Sequence, residues 1–136
     1  MKQQPATKQK RQRRGVATVE LAVCLPVLLL FALVSIEVCG MLRIGQTLKI
    51  ASYEAARVGI VPGAEPINVM FQCETFLEGR NVKGYSISMN PSDPSLVPEG
   101  EYFEVSVEVE YDQNSYLGNL ISNDRVITRS TALRAN

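Results

Sequence analysis

Two carboxylates stand in a stretch that otherwise excludes charge. Glu20 and Glu37 are the only charged residues in the 27 residues from Val16 to Leu42, VATVELAVCLPVLLLFALVSIEVCGML. An unpaired charge in such surroundings costs about 3 kcal/mol or more, so each needs a partner or water. Glu37 can face a basic group on another subunit, or sit where a helix leaves hydrocarbon and meets water. Glu20 lies six residues after Arg14 and can equally be solvated at headgroup depth. The other acids cluster late, between Glu99 and Asp112. There they alternate with apolar residues, as the solvated face of a strand does. The chain has no His, which excludes Ser–His and Cys–His nucleophile pairs and His-ligated metals. Three Cys cannot close a zinc site without a fourth ligand, and they are too few for a disulfide framework. Neither GxxxxGK[ST] nor GxGxxG occurs, so no phosphate loop is indicated. These absences argue against an enzyme and against a cofactor, a metal or a small-molecule substrate.

What positions Glu20 and Glu37 follows from the charge distribution. Fourteen Lys/Arg balance fourteen Asp/Glu over 136 residues. Residues 1–14, MKQQPATKQKRQRR, hold six basic residues and no acid, and the remainder has a net charge of −6. This leader cannot pack a core and reads as a tail. It interleaves no aromatic residue for stacking on nucleic acid. The apolar run after it would make a helix of about 40 Å, enough to cross a bilayer core of about 30 Å. It is apolar on all faces, unlike a surface helix, and longer than the core of a secretory signal. Six basic residues precede the span. Arg43 and Lys49 follow it, with Glu37 and Glu54 nearby. The positive-inside rule then places the N-terminus in the cytoplasm and the C-terminal part outside.

Beyond the span the helical pattern persists. Ile44, Leu48, Ala51, Ala55 and Val58 form one face, with Arg43, Lys49, Glu54 and Arg57 off it. One helix is expected from about Val16 to Ile60, transmembrane over 16–42 and amphipathic over 43–60. Pro26 should bend it, and Val61-Pro62-Gly63 should end it. Gly40 and Gly45, with Ala51 and Ala55, would admit a second helix closely. A helix from Pro66 to Gly79 follows, with Ile67, Met70, Phe71, Cys73 and Leu77 largely on one face. Strands are expected at Tyr85–Met89, Tyr102–Tyr111 and Arg125–Arg134, with a turn-rich loop over 90–100. Three antiparallel strands and one helix are marginal alone, so their apolar face should pack on the Ile44–Val58 stripe. Cys24, Cys39 and Cys73 read as core thiols, although an oxidising compartment would permit a Cys39–Cys73 bridge.

At the start of the span, Arg13-Arg14-Gly15 runs straight into the apolar segment, and Glu20 is the fifth residue after that glycine. This resembles the processing site of type IV prepilins. The resemblance implies cleavage between Gly15 and Val16 by a prepilin peptidase. Glu20 would then pair with the new Val16 ammonium, on the same or a neighbouring chain. Over Arg13–Ile60 the sequence is similar to the TadE-like family. Its marks are a basic run, a Gly, an early Glu, a Pro among leucines, an I-E pair and an A-A-R helix. Here these are Arg13-Arg14, Gly15, Glu20, Pro26, Ile36-Glu37 and Ala55-Ala56-Arg57. Gly stands at 59 rather than before the final Ala-Arg. The resemblance implies a pseudopilin or minor pilin of the tight-adherence (Tad) pilus machinery, used in adhesion and surface colonisation. Its partners would be the membrane, the peptidase, other pilin-like subunits and Tad assembly proteins.

The expected architecture is α+β and pilin-like. It comprises a leader (1–15), a long helix (16–60) and an extracytoplasmic domain (61–136) with one further helix and a three-stranded antiparallel sheet. One alternative is a permanently anchored extracytoplasmic binding module that is never cut and enters no filament. Another is an anchored hydrolase using the carboxylates of 99–112. The charge distribution makes a direct prediction. A membrane-impermeant thiol reagent should label a Cys placed at Ser95 only from the outer side, and labelling from the cytoplasmic side would reverse the orientation.

Overall fold

The computed structural model describes residues 7–118 and 125–135, and the side chains of 15–118 and 125–135. Helix α1 runs from Thr7 to Gly59, 53 residues, with Pro26 inside it. It begins nine residues before Val16, inside the segment that composition reads as a tail. The reason is local: Lys, Gln and Arg are good helix formers, and no Gly or Pro interrupts residues 7–14. Pro26 does not end the helix, since long helical stretches flank it on both sides.

The chain divides into two compact units, residues 1–36 and 37–136. In the first, α1 is apolar and uncovered. Its most apolar 18-residue window has no part buried by the rest of the chain. A helix that is apolar on every face and has no protein cover has lipid as its solvent. Among the described residues this is the one helix long and apolar enough to cross a membrane, which fits single-pass anchoring.

The second unit joins the later part of α1 to helix α2 (Pro66–Gly79) and strands β1 (Tyr85–Asn90), β2 (Tyr102–Glu110) and β3 (Val126–Arg134). The sheet order is β1-β2-β3, antiparallel throughout. Ile87 and Arg129 flank Val107 on the central strand. Strict alternation governs β2. Phe103, Val105, Val107 and Val109 are buried, while Glu108 and Glu110 are exposed on the other face. Tyr111 keeps its place in the buried row although it opens a 3-10 turn, Tyr111–Asn114. The buried row packs on Ile44, Leu48, Ala51 and Ala55 of α1 and on Val69, Cys73 and Leu77 of α2. The amphipathic stripe of α1 therefore forms the second layer of the domain, with Val58 partly buried at its end.

On α2 the buried face differs from expectation. Val69, Cys73 and Leu77 are inside, whereas Ile67 and Phe71 are exposed. Residues two apart on a helix point to nearly opposite sides, so a buried Val69–Cys73–Leu77 row turns Ile67 and Phe71 outward. All three cysteines are free thiols, and only Cys73 lies in the core; Cys24 and Cys39 are exposed. Burial, with a smaller contribution from Glu74, pushes the Cys73 thiol up to about 12, which keeps it neutral and unreactive.

One buried polar link crosses the layers: the Ser52 and Thr131 hydroxyls lie 2.8 Å apart, joining α1 to β3. Near it, the end of α1 touches the sheet directly. A Cβ added at Gly59 would fall 2.1 Å from the Phe103 ring, deep inside van der Waals contact with a buried, rigid side chain. Gly59→Ala should therefore destabilise the domain by about 1–3 kcal/mol through overpacking. This outweighs the gain in helix propensity that alanine brings elsewhere. Denaturant unfolding of the detergent-solubilised chain checks it, and an unchanged midpoint would contradict the packing described.

Candidate functional site

Two places on α1 hold the residues singled out by type and spacing. The first is the start of the apolar segment. Gly15, Val16 and Glu20 are exposed positions. A Cβ at Gly15 would meet nothing within 4 Å. Glu20 makes no side-chain hydrogen bond or ion pair with any described residue. Val16 and Glu20 stand at i and i+4, on one helix face. A chain beginning at Val16 would carry its ammonium one turn from the Glu20 carboxylate. An acid in the first turn also suits the positive end of the helix dipole. As it stands, Glu20 is an exposed carboxylate with no side-chain partner among the described residues.

Glu37 is the opposite case. Its side chain is fully buried in the second unit, at 0% exposure. Its carboxylate accepts a hydrogen bond from the Ser115 hydroxyl at 2.5 Å and from the Leu117 backbone N–H at 3.2 Å. Its backbone carbonyl accepts from the Tyr111 hydroxyl at 3.2 Å. One turn further on, Gly40 lets the rings come close: a Cβ there would lie 2.6 Å from the Tyr111 hydroxyl and 2.9 Å from the Tyr116 ring. Arg43 stands over Tyr116 at 6.0 Å, at the outer limit of a cation–π contact. The segment 111–118, which follows β2, is thereby clamped onto α1 between Glu37 and Arg43. Asn114 fixes its other side, accepting from the Lys83 N–H at 2.9 Å and donating to the Lys83 carbonyl at 2.8 Å.

This arrangement holds a carboxylate by directed donors, with no cation among its bonded partners. Burial, with the Glu37 carboxylate nearby, pushes the Tyr111 phenol up to about 12. The close approach that Gly40 offers is taken by two tyrosines of the same chain. Ala55 is buried in the core and Arg57 is exposed, 3.8 Å from Glu54. Such an exposed i,i+3 pair is worth a few tenths of a kcal/mol. Pro26 is exposed on the apolar segment. The carboxylates of β2 and its flanks, Glu99 to Asp112, are strung along a strand rather than gathered. Among the described residues no group of three His, Cys, Asp or Glu could hold a metal.

Sequence reasoning missed Ser115 and Leu117. The only signal pointing to this segment was Tyr111, which continues the inward row of β2.

Residues 15–57 match the family model of TadE-like protein, about a third of the chain. The match starts at Gly15 and ends at Arg57, so it contains Glu20, Pro26, Glu37, Gly40 and Ala55. It associates the chain with the Tad pilus system. The segment that receives Glu37 lies outside it. No curated protein and no solved structure matches the chain.

The socket predicts a graded response. Glu37→Ala strands the Leu117 N–H, leaves the Ser115 hydroxyl only the Gly118 carbonyl at 3.1 Å, and opens a cavity, costing about 2–4 kcal/mol. Glu37→Gln should cost less, because it keeps the volume and one acceptor. Tyr111 adds a pH dependence. The folded state keeps the phenol protonated to about pH 12, whereas the unfolded chain loses its proton near pH 10. Stability from this group is complete below pH 10 and is lost as pH rises towards 12. Tyr111→Phe should flatten the thermal-stability curve over that window, and an identical alkaline decline in the variant would contradict it.

Proposed function

We propose that this chain is a pseudopilin or minor pilin-like subunit that acts in assembling a Tad-type pilus, by helix packing rather than by chemistry. The leader, residues 1–15, is removed by a prepilin peptidase between Gly15 and Val16. The protein is held in the cytoplasmic membrane with its N-terminus inside and the domain outside, until pilin-like partners and Tad assembly proteins draw it into use. The observation that carries this reading is Glu20, which has no side-chain partner among the described residues. It lies five residues beyond Gly15 on an uncovered apolar helix, inside the segment that matches the TadE-like family model.

A permanent anchor has no use for a carboxylate in that place. A docking subunit does: the new Val16 ammonium and the Glu20 carboxylate, in a low-dielectric setting, attract far more strongly than in water. Glu37 needs no outside partner, because its own domain satisfies it. Of the two acids in the apolar run, Glu20 is thus the one left to carry recognition between chains.

Replacing Glu20 separates the two roles. Glu20→Val should insert normally, with no loss of protein from the membrane, since a polar group in lipid is removed. Leader removal should stay near normal. Pilus assembly, or co-purification with a pilin-like partner, should be lost. Glu20→Gln should be almost as damaging, because it keeps the shape without the charge. Full assembly by both variants would leave Glu20 as an interfacial residue only, and the permanent anchor would then be the better reading.

A further inference from the structure

The second unit presents opposite surfaces at two levels along α1. Towards Glu37, a groove of about 690 Å3 opens between α1 and the outer edge of β3. Met41, Leu42 and Gly45 form its apolar side, and Lys49, Arg125 and Arg129 supply its charge. Among the described residues, no carboxylate lines it. Among the described residues, none of these three cations is ion-paired; the ion pair on this unit joins Arg57 to Glu54. Their donors go to weaker acceptors. Lys49 reaches the Ser130 carbonyl at 2.6 Å, Arg129 the Thr128 carbonyl at 2.8 Å, and Arg125 the Met41 sulfur at 3.8 Å. A Cβ at Gly45 would touch the Arg129 guanidinium at 3.4 Å, an ordinary contact that places the guanidinium beside α1.

The loop joining β1 to β2 carries the complement. It lies beside the end of α1, with Glu99 near Gly59–Gly63. That is ten to eighteen residues along the helix from the groove, about 15–27 Å. Leu96 is 71% exposed, and Pro98, Glu99 and Glu101 are also exposed. The loop is stiff. It contains Pro91, Pro94 and Pro98. Asp93 accepts from the Ser95 N–H at 2.9 Å and from its hydroxyl at 2.7 Å. The Gly100 N–H donates to Ala135 at 2.9 Å, and Arg134 donates to the Gly100 carbonyl at 2.8 Å. A preordered loop loses little entropy on docking.

We propose that this loop of one copy seats in the groove of a second copy, with Leu96 and Pro98 on Met41 and Leu42, and Glu99 and Glu101 on Lys49, Arg125 and Arg129. The contact joins two different patches of the same chain, so it does not close on itself. Repeated, it makes an open head-to-tail array rather than a dimer. It rests on the reading of this chain as a filament-assembling subunit, and adds which surfaces meet. The rest of the domain is acidic, so the basic groove also selects the acidic loop against other approaches of like charge. The contact is small and would be weak between free molecules. The offset of about 15–27 Å between loop and groove suits copies displaced along the helix axis, as in a filament, where packing raises the effective concentration.

The test uses the full-length chain in cells that carry its pilus-assembly machinery, with its own cysteines replaced, Gln46→Cys in the groove and Ser95→Cys in the loop. Oxidation should give a ladder of dimers, trimers and larger species from the double variant, and no ladder from either single variant. Adding Arg129→Glu should lower the crosslinking yield about tenfold, the scale expected when attraction at a polar rim becomes repulsion. Adding Glu101→Arg to that variant should restore it. Thermal melts equal to the parent's confirm that the exposed substitutions leave the fold intact, and Lys49→Glu provides a second reversal. No ladder from the double variant, a ladder indifferent to the charge reversals, or dimers from a single cysteine would each overturn the proposal. Leader removal is read in the same cells. A cut leader without a ladder would sink this contact alone, whereas an uncut leader would count against the pilus reading.

Discussion

Everything outside the lipid depends on one burial. The three-stranded sheet has an apolar face, Phe103 to Tyr111, and by itself nothing large enough to cover it. The Ile44–Ala55 stripe of α1 supplies that cover, with α2 filling the remainder. A sheet of this size without a second layer is marginal. The domain therefore cannot be treated as a separate module hung on an anchor: the helix that leaves the membrane supplies five of the fourteen buried residues of its core. Small residues on the stripe, Ala51, Ser52, Ala55 and Ala56, let backbone and sheet come close, and Gly59 carries this to its limit against Phe103.

The two acids of the apolar run have been given different fates. Glu37 is taken into the domain and met by a hydroxyl and a backbone N–H that arrive after the central strand. The interaction ties the segment 111–118 to α1 and removes a charge from the helix surface. Glu20 has no such provision. A chain that satisfies one buried carboxylate fully and leaves the other bare on an apolar helix has solved the polar-group problem once. The second is left open among the described residues, and it is there that the proposed pairing with a new N-terminus or another chain would act.

Much of this was legible in the sequence, and the reasons are periodicities. The alternation of β2 and the stripe of α1 repeat at 2 and about 3.6 residues, so burial could be read before any contact was known. The face of α2 was misread because Ile67 and Phe71 are as apolar as the residues that are buried. Composition alone could not choose between rows separated by half a helical turn. The start of α1 at Thr7 was hidden by a basic, polar composition that reads as solvated tail, although its residues favour helix. The Glu37 socket was invisible for a different reason. Its donors are a loop hydroxyl and a backbone N–H, 78 and 80 residues away, and neither belongs to a repeating pattern.

The intact mass of the protein recovered from membranes, with and without an active prepilin peptidase, addresses the account at its root. With the peptidase, the wild-type chain should lose the mass of residues 1–15 and begin at Val16. Gly15→Leu should keep its full mass. No described residue crowds that position, so the block would report the peptidase's own narrow site. A wild-type chain that keeps residues 1–15 in the presence of an active peptidase would contradict the account and leave a permanently anchored domain in its place.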